Sequence, residues 1–554
     1  MTKVAQPFPD SEQGSVKIEA HGCSKEEMED DHDDDVFIDE TPVAHPDDDI
    51  IPHIPEKVDR NVSHQSTLVP WWQRHKRGTL VWGCLVLLVL ISSIAVVVVT
   101  RTNDHERAPS KDDNTDASPT STTSDEDEDP PSDDSNVIPT NDENAYWQPL
   151  GQPLTGEFQG DHAGEALDLS ADGTILAVGE PWYGNYGRVQ VWKWDASTSS
   201  WTPLGNPLTG HERTGDRLGS AVALSADGTI LATGTNVVGN ALGYVRILQW
   251  DETSGSWVPL GEDIMSTDDL DGFGSVVQLS ADGHAVAVAS PTHPILRPNE
   301  DAQYHTGRVQ VFDWTGTEWI QRGNDLEGED EWDKFGTSLA LSSDGTVLAA
   351  GTPHHEDFVG HVKVVEWDGM VWRPRGPPFQ GSSSMDFFGE AIALSSDGSV
   401  LTVGSYTVSQ SSNVIEEDEF SDKVDAWKWD GSYWHPMGDP IVGEAKGEGW
   451  ALSLALAKDD DGRTILAIGA DLHADENPHS GYVTVFEWTN TNEWVVLGET
   501  LHGDNVKDSF GSSLALSKDG IVLAVGAFLH DNGDTSSYHN SGHVSVWAKN
   551  TNQD

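Results

Sequence analysis

A seven-bladed β-propeller is the fold that the sequence predicts for residues 146–554. Three observations carry that reading. One unit recurs seven times, roughly FGxSxALSxDGxxLAVG, a variable loop, GxVxVxxW, a polar gap and WxPLG. Each unit holds four short strand-like runs, which marks a radial repeat rather than a helical one. The fourth run of the last unit is missing from the C-terminal end and stands instead at the start of the domain.

The first two strands of each unit are joined at an Asp-Gly pair, with the Asp at 172, 227, 282, 344, 397, 461 and 519. Successive pairs lie 55, 55, 62, 53, 64 and 58 residues apart, the size of one blade. In the second unit, Ala221-Val222-Ala223-Leu224-Ser225 runs into Asp227-Gly228 and then Ile230-Leu231-Ala232. Asp-Gly between two apolar runs predicts a tight hairpin, because Gly accepts positive φ and Asp can bond its own backbone.

The third strand reads Gly187-Arg188-Val189-Gln190-Val191 in the first unit and recurs as Gly243-Tyr244-Val245, Gly307-Arg308-Val309 and Gly481-Tyr482-Val483. The fourth opens on a Trp, at Trp201, Trp257, Trp319, Trp372, Trp434 and Trp494. Its seventh copy is Trp147-Gln148-Pro149-Leu150-Gly151, whereas the chain ends just after a third strand, His543 to Trp547. The N-terminal strand is therefore expected to complete the last blade, pairing edges that would otherwise template aggregation. No stretch after residue 145 shows a helical period.

The unit resembles the FG-GAP repeat of integrin α-subunit-like β-propellers. FG stands at Phe273-Gly274, Phe335-Gly336, Phe388-Gly389 and Phe510-Gly511, with Leu218-Gly219 as a variant. GAP stands loosely at Gly179-Glu180-Pro181, Ala289-Ser290-Pro291 and Gly351-Thr352-Pro353. The WxPLG wording is similar to repeat proteins of unicellular algae such as diatoms. Many FG-GAP repeats place a DxDxDG calcium loop between the first two strands. Here that position reads Ser-Ala-Asp-Gly or Ser-Ser-Asp-Gly, and one carboxylate cannot supply the six to eight oxygens calcium takes. The enlarged version, Lys458-Asp459-Asp460-Asp461-Gly462, reads as an acidic hairpin tip, with calcium on Asp459, Asp460 and Asp461 as the alternative.

Other candidate sites lie in the link between strands two and three. His354-His355-Glu356-Asp357 is the densest metal-capable cluster, and His530, Asp531 and His539 occupy the equivalent loop of the last unit. Neighbouring His residues on a loop suit a transition metal, although solvated His is the plainer reading. Most Trp residues are periodic and so build blades. Trp182, Tyr183 and Tyr186 are not, and they are the candidate ligand contacts. The links at 292–306, 406–421, 471–480 and 528–541 are long, and variable loops on a constant scaffold are where specificity resides.

Ahead of the propeller, Thr79 to Thr100 is twenty-two residues without a charge, enough to span about 30 Å of hydrocarbon. Arg74, Lys76 and Arg77 precede it in a basic and aromatic flank, 71–78. By the positive-inside rule the N-terminus is then cytoplasmic and the propeller extracellular or luminal, with the plasma membrane preferred. Residues 1–70 carry 18 acidic and 5 basic side chains and read as a disordered tail. Residues 101–145 read as an acidic, Ser/Thr/Pro-rich stalk. Cys23 and Cys84 both precede the propeller, so no disulfide can staple it.

Net charge is −62, and the propeller region alone holds 61 acidic against 20 basic side chains. Such a surface repels nucleic acid and favours protein, glycan or cationic ligands. With no catalytic residues and no cofactor assigned, the sequence predicts a non-catalytic recognition or adhesion module on a membrane anchor. A membrane-anchored hydrolase or lyase is the alternative reading, as is an acidic wall or mineral scaffold.

Overall fold

The computed structural model describes residues 146–550, apart from 212–214, 237–241, 269–270, 297–302, 407–421, 444–448, 472–479, 506–507 and 531–539. The expected tail, membrane segment and stalk lie outside the described residues. Among the described residues no helix is long and apolar enough to cross a membrane.

Seven antiparallel sheets form the blades of an all-β propeller, numbered here by their Asp-Gly hairpins. Blade 1 consists of Ala166–Leu169, Ile175–Glu180, Arg188–Asp195 and Ser200–Pro203. Its second strand is buried at every position, as a strand sandwiched between neighbouring blades must be. Blade 7 is composite. Phe510–Leu516, Val522–Ala527 and His543–Lys549 are joined by Trp147–Pro149, with Trp147 opposite Lys549 and Pro149 opposite Trp547. The expected closure by the N-terminal strand is therefore present.

One detail departs from the four-strand expectation. In every blade the fourth strand is broken, and a two-residue strand continues it against the same third strand, as Leu154–Thr155 does against His543 and Val544. The cause is the Gly of WxPLG. Gly151 takes φ 85°, and a Cβ there would come within 2.9 Å of the Trp194 ring of the next blade. The link at 292–306 also holds structure of its own, a small hairpin pairing Pro294–Leu296 with Gln303–His305.

The periodic Trp residues are inter-blade latches. In blades 1 to 6 a third-strand Trp and a fourth-strand Trp pair at 5.3–5.6 Å, as Trp194 and Trp201 do at 5.5 Å. The fourth-strand indole then donates to the carbonyl just before the Gly of the preceding blade. Trp201 reaches Leu150 O at 2.9 Å, and Trp257, Trp319, Trp372, Trp434 and Trp494 repeat the bond. Trp147 makes the seventh latch, to Leu497 O at 3.1 Å.

The Asp-Gly hairpins form a second ring around the axis. Ala171 N donates to Ala226 O, Ala226 N to Ala281 O, Ala281 N to Ser343 O, Ser343 N to Ser396 O, and Lys518 N back to Ala171 O, all at 2.8–2.9 Å. Within six of the seven turns the Asp is already engaged by its own turn. Asp172 Oδ1 accepts from Ser170 Oγ at 2.7 Å, Thr174 N at 3.0 Å and Thr174 Oγ1 at 2.8 Å. Blade 6 interrupts the ring, because its longer hairpin reaches Ser396 only through that residue's hydroxyl.

Candidate functional site

The strand order gives the propeller two unlike faces. One carries the Asp-Gly hairpins and the turns between strands three and four. The other carries the links between strands two and three together with the connections into each F-G element. Trp182, Tyr183 and Tyr186 lie on this second face, beside blade 1. Trp182 is 39% exposed, donates its indole N–H to Glu165 Oε2 at 3.1 Å, and carries the Arg217 guanidinium 3.7 Å above its ring. Tyr183 packs against Phe158 at 5.9 Å and Tyr186 at 6.0 Å, over Arg188 at 3.8 Å. The three predicted contacts are thus adjacent in space.

Sequence reading missed two companions. Phe158 is 55% exposed beside Tyr183, and Trp332 is 45% exposed, tilted on His305 at 4.9 Å. Trp332 falls outside both periodic Trp registers, the same signal that singled out Trp182. Phe158 carries no such signal.

The adjacent histidines do not act together. His354 turns into an aromatic cluster with Phe358 at 4.9 Å and Phe387 at 5.9 Å, and burial pushes it down to about 4. His355 turns the other way, its Nδ1 3.1 Å from Asp333 Oδ1. That Asp belongs to a second repeated feature the sequence reading passed over. An Asp stands two residues before the F-G slot at 161, 216, 271, 333, 386 and 508, and all six are buried. Four of them accept the backbone N–H three residues earlier, as Asp333 Oδ2 does from Asp330 N at 2.8 Å. This is a turn-holding role.

Three blades add a His from the facing loop. His530 Nδ1 lies 2.9 Å from Asp508, matching His355 and Asp333, and His293 lies 3.8 Å from Asp271. In blades 4 and 7 the ring then meets a second His, the first residue of the third strand. His355 and His361 are 4.1 Å apart, as are His530 and His543.

Burial, and then the neighbouring His530, push His543 down to about 3, against about 6.5 for an exposed ring. Between those values the unfolded chain binds the extra proton, so the stability contributed is complete above about pH 6.5 and lost as pH falls through the window. His543→Gln should therefore flatten the decline of the urea midpoint between pH 7 and 4. Parallel declines for the two proteins would reject this.

Asp459, Asp460 and Asp461 lie on the opposite, hairpin face, where two shallow hollows of about 290 and 320 Å³ flank the gap in the ring. Their side chains diverge. Asp459 Oδ1 accepts Asp461 N at 3.0 Å and Arg463 N at 2.8 Å, while Asp460 Oδ1 pairs with Lys518 Nζ at 2.7 Å. Lys458 Nζ crosses to Asp397 at 2.6 Å. Lys518 of blade 7 thus already answers this acidic tip, while Lys458 answers the hairpin Asp of blade 5.

Compared with known proteins, the chain matches no family model and no curated protein. Solved structures do match it. One is Kuenenia stuttgartiensis hydrazine synthase, at 16% identity and a TM-score of 0.43, over 71% of this chain and 97% of that one. Another is a putative 6-phosphogluconolactonase from Bacteroides uniformis, at 12% and 0.41, over 62% and 86%. A third is the WD40 repeats of RRP9, at 13% and 0.42, over 72% and 99%. The class defined by the chain's own architecture is the seven-bladed β-propeller.

Proposed function

We propose that this chain is a non-catalytic recognition or adhesion module of FG-GAP type, held at a membrane by residues 79–100 with its N-terminus cytoplasmic and its propeller outside. One observation carries the reading: the two faces are built differently. The hairpin face is a near-uniform ring of backbone bonds, and in six of the seven hairpins the Asp side chain is engaged by its own turn. The loop face departs from the repeat, and its departures include exposed aromatic side chains at Phe158, Trp182 and Trp332. Exposed large aromatics beside acidic and basic groups suit a glycan, a protein loop or a cationic ligand, because they offer contact area at small entropic cost.

The test is a binding screen of the full chain on glycans, polyamines and basic proteins. Trp182→Ala and Trp332→Ala should weaken the capture of a hit by about 10-fold or more, the loss typical of a central aromatic contact. Tyr433→Ala, 69% exposed in a turn on the hairpin face, should leave it unchanged. Turnover of the captured ligand, abolished by a loop-face substitution, would replace recognition with catalysis.

A further inference from the structure

We infer that blade 4 holds a divalent transition-metal site formed by Asp330, Asp333, His355 and His361. It does not depend on the recognition reading. One carboxylate oxygen each from Asp330 and Asp333 and a ring nitrogen of His355 lie within 4.8 Å of one another. Asp330 is exposed on its loop, whereas Asp333 and His355 are buried. The fourth group is His361, only 4% exposed, edge-on to the His355 ring. Its Nε2 has no hydrogen-bond partner among the described residues, and a buried ring nitrogen left so is costly unless something binds it.

The repeat supplies its own comparison. Blade 3 has the equivalent set, Asp268, Asp271 and His293, again within 4.8 Å. There the first residue of the third strand is Arg308, and its guanidinium lies 3.1 Å from Asp271 and 3.5 Å from Asp268. The protein thus fills the space between these two carboxylates with a cation of its own. Blade 4 keeps both carboxylates and the His, but replaces the guanidinium with an imidazole. Blade 7 keeps both imidazoles but has Asn505 where the outer carboxylate would be. Only blade 4, of these three, combines two carboxylates with two imidazoles and no guanidinium.

Two imidazole nitrogens and two carboxylate oxygens are a donor set for zinc, or for manganese, iron or cobalt in the same oxidation state. They do not suit calcium, which takes oxygen alone. The buried Asp333, already fixed by the amides of Glu329 and Asp330, is pre-positioned. The ion links the F-G connection to the links and strands of the same blade, tying Asp333 on one to His355 and His361 on the others.

Cobalt(II), titrated into the full chain and read by its visible absorption, tests the site, with zinc(II) as competitor. One cobalt per chain should give a band typical of nitrogen and oxygen ligands, displaced by zinc. Asp330→Asn and His361→Arg should each weaken it by at least 10-fold. The first removes an exposed ligand without touching the core. The second reproduces the composition of blade 3. Asp268→Asn should change nothing, and Arg308→His should raise the stoichiometry towards two. The absence of a band, or one that survives both Asp330→Asn and His361→Arg, would show only diffuse attraction to an acidic surface and overturn the assignment. If His361→Arg fails to fold, Asp330→Asn alone decides.

Discussion

Replacing Trp147 with Ala is expected to cost about 3–5 kcal/mol, the range for truncating a fully buried Trp, and to leave the propeller unable to stay closed. Trp147 is 1% exposed and packs with Phe510, Leu523, Val525 and Val483, side chains drawn from blades 6 and 7. It is also the seventh latch, through its bond to Leu497 O. The strand it opens is only three residues long, so few other bonds replace it. Glu499 holds the same segment by accepting Tyr146 N at 3.0 Å and Trp147 N at 2.9 Å. Tyr146 fills the place that a third-strand Trp takes in other blades, beside Gly498 and beneath Lys549.

Trp257 is the natural control. It is buried in the same register of blade 2, but its strand is covalently continuous with its own blade. Trp257→Ala should lower the urea midpoint by a similar amount without further consequence. Trp147→Ala should additionally free the third strand of blade 7, an unpaired edge prone to self-association. Size-exclusion chromatography and limited proteolysis near residue 146 would report this. A Trp147→Ala protein that unfolds at the wild-type midpoint and stays monomeric would refute the clasp. Trp147→Phe, which keeps most of the packing but loses the indole bond, should cost only about 1 kcal/mol for that bond.

Arg188→Met should be the second most damaging change, at about 3–5 kcal/mol, because it strands a buried carboxyl. Arg188 and Glu180 face each other across the second and third strands of blade 1, and both are buried. The guanidinium donates through Nε to Glu180 at 2.9 Å and through NH1 to the exposed Glu157 at 2.9 Å, and it stacks on Tyr183 at 3.8 Å. Burial raises the Glu180 carboxyl to about 7, with Arg188 acting against that rise. Since an unfolded Glu titrates near 4.3, the folded state holds the proton between about pH 4 and 7. Wild-type stability therefore falls as pH rises through that window. Without Arg188 the fall should steepen. Adding Glu180→Gln to Arg188→Met should recover most of the loss and remove the steep fall. A double variant as unstable as Arg188→Met alone would place the damage in lost packing on Tyr183 instead.

The unequal legibility of these features has physical causes. Trp147 was placed in the last blade by counting strands, because a strand declares itself through local alternation and a missing partner shows as a deficit in the tally. The hairpins were equally legible, since Ser170, Asp172 and Thr174 satisfy one another within five residues. The two-part fourth strand was not, because the break follows from a Trp ring of the next blade pressing on Gly151. The buried Asp of six of the seven F-G connections was in plain view as a repeat, yet its meaning depends on partners such as His355, which lies 22 residues away from Asp333. His354 and His355 illustrate the limit: neighbours in sequence, they enter different surroundings, His354 against Phe358 and Phe387 and His355, which opens a short helical turn, against Asp333 and His361.

By itself, then, the sequence determined that this is a closed propeller of seven blades, which segment seals it, and which loops vary. Those are consequences of periodicity and short-range bonding, and short-range interactions are written in consecutive residues. Only the tertiary structure decided that Arg217 lies over Trp182 and Phe158 against Tyr183, that Lys518 answers the acidic tip of blade 6, and that Asp330, Asp333 and His355 converge in blade 4, with His361 against the His355 ring where blade 3 seats an arginine. Each of these depends on distances between blades or loops far apart along the chain, set by the packing of the whole ring rather than by any stretch of it.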